Sequence, residues 1–236
     1  MINLTEELAP LAGPGMHLPA ATLDPSLIRA VMINEVVPEH PEDDFYGAND
    51  PPFYLTTALP LFQRAGLPAQ SIRDVTDAGV YITNAVKTPK KDTNVPAEDI
   101  VLSLPLLEHE LDLFPRLKAV MLMGDVARKA FNLIWKKKTG RNALPAVSTY
   151  KLRKTPLYAE NIRIFPSYIM TGRNILIEKS KADMAAKESR TPAIMAQRSG
   201  FRSTYQVTVF TGCLRSPGGI WRPVFQASRS WRGACP

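Results

Sequence analysis

Cysteine is almost missing from this chain: 236 residues hold two, Cys213 and Cys235. The first 190 residues therefore offer neither a disulfide framework nor a cysteine-rich metal site. No apolar run approaches the roughly 20 residues that cross a bilayer, so no membrane partner is expected. The opening Met1-Ile2-Asn3-Leu4-Thr5-Glu6-Glu7 has neither the basic n-region nor the apolar core of a secretion signal, which predicts a cytoplasmic protein. Histidine is scarce, with His17, His40 and His109 alone. No glycine-rich dinucleotide fingerprint accompanies Gly124, which is expected to permit a close strand-to-helix turn.

Acid is the second absence, and it is local. The chain carries 29 basic and 22 acidic residues, a formal charge of +7. From Thr191 to Pro236 there are six arginines (198, 202, 215, 222, 229 and 232), no lysine and no acid, leaving 23 basic against 22 acidic groups on the first 190 residues. The body is nearly neutral, so the total does not by itself argue for nucleic acid. The same 46 residues hold both cysteines, Trp221, Trp231 and Pro217-Gly218-Gly219, without a sustained hydrophobic period. Two readings stand: a poorly ordered extension, such as sequence translated out of frame, or an Arg and aromatic arm for nucleic acid.

What is present elsewhere is an alternation of strand-like and helix-like segments, the pattern of a parallel sheet with helices on its faces. Strands are expected near 28–34, 80–84, 118–123 and 162–165. Helices are expected near 52–65, 71–78 (with Ser71 as N-cap and Asp74 in its first turn), 96–113, 125–136 and 177–188. Residues 137–161 read as basic loop with room for one edge element. The resulting organisation is an N-terminal extension (1–27), an α/β domain (28–190) and the atypical tail (191–236). Ligands of open α/β sheets bind outside the carboxyl ends of the strands, which singles out Glu35 and Asn84, each the polar residue that follows an apolar run and precedes a proline.

Glu35, Asp44-Phe45-Tyr46, Ile82-Thr83-Asn84-Ala85-Val86-Lys87, Leu122-Met123-Gly124-Asp125-Val126-Ala127 and Phe165-Pro166-Ser167 resemble, in order, the segments of the uracil-DNA glycosylase superfamily. The resemblance covers about residues 28–189. It implies a three-layer α/β/α sandwich around a four-stranded, mostly parallel sheet. It also implies hydrolysis of the bond between uracil and deoxyribose after the nucleotide is flipped out of the DNA. The sequence departs from the family at two places. Asn34-Glu35-Val36-Val37-Pro38 keeps the acid of a Gly-Glu-Ala-Pro-Gly segment and loses both glycines. Phe165 stands where the familiar motif has histidine, which removes a donor to the departing uracil.

The resemblance assigns roles. Glu35 would place negative charge near the sugar or serve as base for water, and Asn84 would read the uracil edge, since a carboxamide both donates and accepts. Tyr46 would stack on the base or block a 5-methyl group, with Phe45 and Phe53 as alternatives, and Asn34 and Phe165 complete the substrate pocket. Of the histidines, His40 is the one expected near it. DNA contacts would come from Lys87, Lys90, Lys91, Pro166, Ser167, Tyr168, Arg173 and Asn174, a second cationic patch from Lys136, Lys137 and Lys138, and a wedge from Ile169 or Met170. Four cysteine ligands mark some branches, and none stands in this body, so no cluster and no metal are expected. The partner would be uracil-containing DNA, met by a monomer. Two other readings stay open: a protein on this fold that binds uracil-containing or abasic DNA without turnover, and an α/β protein handling a small nucleotide-like metabolite.

Overall fold

Val31-Met32-Ile33 is apolar at every position because the strand that carries it is covered on both faces. It forms the middle of the sheet in the computed structural model, which describes residues 1–92, 94–152, 155–172 and 182–187. In chain order the elements are β1 (Ile2–Asn3), α1 (Leu4–Leu8), β2 (Thr22–Leu23), β3 (Ala30–Val37), α2 (Phe53–Arg64), α3 (Ile72–Asp77), β4 (Val80–Pro89), α4 (Ala97–Asp112), β5 (Ala119–Met123), α5 (Asp125–Thr139), α6 (Thr149–Leu152), β6 (Leu157–Ala159) and β7 (Ile162–Ser167). Residues 182–187 are helical and bury Ala182, Ala185 and Ala186; the rest of the helix expected over 177–188 lies outside the described residues.

The main sheet runs β4-β3-β5-β7-β6, parallel throughout except for β6, which pairs antiparallel with β7. The chain thus has the α/β/α sandwich expected of it, with five strands where four were anticipated. The fifth is the edge element of the 137–161 stretch, three residues long and carrying an exposed Tyr158, too short to show a period. The Ser71 cap is present as a full capping box with Asp74. In α4 the buried face is Ile100, Ser103, Leu106, Leu107 and Glu110, while Leu102 is exposed.

Two topological facts position the site. First, β3 pairs with β4 on one side and β5 on the other, so the chain turns one way after β3 and the other way after β4; the crevice at such a switch point lies at the carboxyl end of β3. Second, side chains alternate across a strand. Asn34 faces the α2 side, level with Asn84, whereas Glu35 faces α5.

Residues 1–27 extend the core. Leu4 and Leu8 are fully buried, Leu23 nearly so, and β1 pairs with β2 to hold α1 in place. Each such leucine contributes about 2 kcal/mol of burial.

Candidate functional site

Four polar side chains meet at the carboxyl ends of β3 and β4. Asn84 Nδ2 donates to both oxygens of Asp44, at 2.8 and 2.9 Å, and Asn34 Nδ2 donates to Asn84 Oδ1 at 2.9 Å. Thr171 Oγ1 donates in turn to Asn34 Oδ1 at 3.3 Å. All but Thr171 are buried. This row fixes the Asn84 carboxamide in one orientation, amino group toward Asp44 and oxygen toward Asn34. Burial pushes the Asp44 carboxyl up from the ordinary aspartate range, and the Asn84 hydrogen bond opposes it.

Aromatic rings wall the row. Tyr46 stacks on Tyr81 at 5.8 Å between centroids, and its hydroxyl accepts the Ile82 N–H at 3.4 Å. Phe45 packs against Tyr54 at 5.2 Å. Phe45, Tyr46, Asp44 and Asn84 line one cavity of about 10 Å³, room for no more than a water molecule. The structure therefore brings together Asn84, Asn34, Tyr46 and Phe45; Phe53 stands apart, exposed at the start of α2. Tyr54 stands beside the row, its hydroxyl donating to the Val36 carbonyl at 3.1 Å; burial, then the carboxylates of Asp44 and Glu35, raise that hydroxyl's pKa, while Thr171 and Asn34 hold it down.

Glu35 lies on the other side of β3. Its Oε1 accepts the Val126 N–H at 3.1 Å, an amide in the first turn of α5, so the carboxylate caps a 15-residue helix that has no side-chain cap of its own. Gly124 permits this approach. It has φ +99, and a Cβ there would stand 2.3 Å from Glu35 Oε1. Partial burial raises the Glu35 pKa, the amides of Val126 and Asp125 lower it, and the net direction is up. Beside this helix start, a groove of about 730 Å³ is lined by Arg128, Lys129, Asn132, Tyr150 and Tyr168 among others. Arg128 is held there by Asp125, Thr149 and the Val147 carbonyl.

Several expected contacts fall elsewhere. Lys87 is 2% exposed and cannot meet a phosphate: its Nζ lies 2.5 Å from Glu110 Oε2 and 2.7 Å from Thr83 Oγ1. Tyr81 donates to the same Glu110 at 2.8 Å. Pro166 and Ser167 are not a gripping loop but the buried end of β7, opposite Leu122 and Met123. Met170 is also buried, which leaves Ile169, 38% exposed, and Tyr168 at the surface. Phe165 is half-buried under the Arg163 guanidinium, 5.2 Å from its ring, and does not line the Asn84 cavity. Lys90 and Lys91 are exposed, and Lys90 is close enough to act on Glu35. Lys137 and Lys138 pair with Glu108 and Asp112, and the triplet sits about 17 Å along α5 from its start. Arg173 and Asn174 lie outside the described residues.

His40 is exposed, 3.8 Å from Glu42, and does not approach the cavity; His17 does. Sequence reasoning missed Asp44, Tyr54 and Thr171 as members of the row. Asp44 alone left a signal, an acid next to the two aromatics. Among the described residues no group of three His, Cys, Asp or Glu side chains is placed to hold a metal.

No curated protein matches the chain. The family model described as uracil DNA glycosylase superfamily matches residues 39–186, from just after Glu35 through the Asp44 row, both central crossovers and β7. The matched span takes in Asp44, Asn84 and four of the five strands of the main sheet, with Asn34 and Glu35 on β3 just before it, and covers more than half of the chain, so the chain belongs to the uracil DNA glycosylase superfamily.

Proposed function

We propose that this protein hydrolyses the N-glycosidic bond of uracil in DNA, with Asn84 reading the base and Glu35 serving the sugar side. The observation that carries the reading is the buried Asp44–Asn84–Asn34 row, walled by Tyr46 and Phe45, in a chain of this superfamily. Asp44 occupies the donor of Asn84 and Asn34 occupies its acceptor. A uracil edge makes the same two demands, a carbonyl that accepts and a ring N–H that donates. Asn84 itself then exchanges partners on base entry rather than losing them, provided the cavity widens. Glu35, anchored by its helix amide, holds a carboxylate at the switch point, where it can take a proton from water or face the developing oxocarbenium charge.

The DNA would lie along the α5 groove, lined by Lys129 and Tyr168, with the exposed Ile169 next in the chain after Tyr168 and Lys90 close to Glu35. The test is alkali-revealed cleavage of a labelled uracil-containing oligonucleotide, single- and double-stranded. Scission by the parent, lost in Glu35→Gln and Asn84→Ala, is the expected result. Phe165 at the motif histidine position favours a second reading, a protein that binds such DNA without turnover; binding without scission would establish it and remove the enzyme.

A further inference from the structure

The histidine that the fourth motif lacks has a counterpart in space. His17 belongs to the segment between α1 and β2, which crosses the free edge of β4. Its N–H donates to the Lys87 carbonyl at 2.8 Å, while the Tyr46 hydroxyl takes the Ile82 N–H on the same strand. The two residues therefore dock on β4 on either side of Asn84. The His17 ring lines the cavity with Asn84, Asp44, Phe45 and Tyr46. Its Nε2 is shielded from solvent and meets no hydrogen-bond partner among the described residues. A buried ring nitrogen without a partner is unfavourable, and one that faces a cavity beside a base-reading amide is satisfied by what enters. His17 also acts on Asp44, lowering that carboxyl's pKa.

Phe165 cannot take this role: a phenyl ring has no nitrogen to hydrogen-bond a base, and this one lies under Arg163.

We propose that His17 is the base-contacting imidazole of this site, supplied by the N-terminal segment instead of by β7, with Nε2 aimed at a polar atom of the base that Asn84 reads. This rests on the reading of the Asn84 cavity as a base pocket. A chain with three histidines allows a direct test. The full-length protein, labelled with 15N at histidine, is titrated with an oligonucleotide bearing one 2′-fluoro-2′-deoxyuridine, whose fluorine slows glycosidic cleavage, and with the same strand bearing thymidine. His17→Gln and His40→Ala assign the signals.

The expected result is a displaced His17 ring-nitrogen signal with the uracil strand only, His40 unmoved, and a loss of about 10²–10³ in kcat for His17→Gln with the melting temperature kept. His40→Ala keeps parental cleavage. Cleavage by the parent with a silent His17 signal overturns the inference alone. A parent that neither cleaves nor binds the uracil strand overturns the base-pocket reading and the inference with it. The parental titration decides even if His17→Gln does not fold.

Discussion

Glu35 caps α5 and, in the proposed reaction, also serves the sugar side, two tasks for one carboxylate. Its raised pKa means that folding favours the neutral form, so above its unfolded pKa the ionised group costs stability, and that cost fades as pH falls through the folded value. Glu35→Gln keeps an acceptor for Val126. At pH 7 the variant is expected to melt no lower than the parent, with the difference shrinking in acid, while glycosylase rate drops by about 10²–10⁴. The parental rate should fall with decreasing pH at a midpoint above the ordinary glutamate range. A midpoint within that range, from pH-resolved cleavage rates, would remove Glu35 as the ionising group. Gly124→Ala offers the complementary case: at φ +99 and 2.3 Å from the carboxylate, a methyl group must displace Glu35. Calorimetry should show a loss of about 1–2 kcal/mol, and scission should drop although no reacting group is altered. Unchanged activity in that variant would show that the Glu35 position is not used.

At the scale of elements, the strongest constraint is between β4 and α4. Lys87, Thr83 and Tyr81 share Glu110, which is fully buried. Burying both charges gains little net stability, but leaving one alone is expensive. Denaturant unfolding should therefore show about 3–5 kcal/mol lost in Lys87→Met or Glu110→Leu singly, and much less lost in the double variant than the singles sum to. Additive losses would mean that the pair is not coupled.

This pair also shows why part of the site was not legible in the sequence. The strand cores, Glu35, Asn84 and the Gly124 turn announce themselves through local pattern: an apolar run, a polar terminus, a glycine before a helix. Whether a lysine after such a run meets solvent or an acid depends on a helix residue 23 positions later, and nothing local distinguishes Lys87 from Lys90. Asp44 was legible only as a neighbour of aromatics, because its partner Asn84 lies 40 residues away. Pro166 and Ser167 read as loop because proline usually ends a strand; here β7 continues through both against β5.

For the whole molecule, the N-terminal residues are integral. Leu4 and Leu8 are fully buried, so Leu8→Ala should cost about 2–5 kcal/mol by denaturant unfolding; a loss under 1 kcal/mol would return residues 1–27 to the status of an extension. The same segment closes the Asn84 cavity by lying across β4, held at Lys87 by a backbone hydrogen bond. A strand edge with unpaired N–H and C=O groups is a template for another chain. Stripping the segment away would therefore uncover a row of backbone groups along β4, and a protein lacking it would be prone to pair with a second copy of itself.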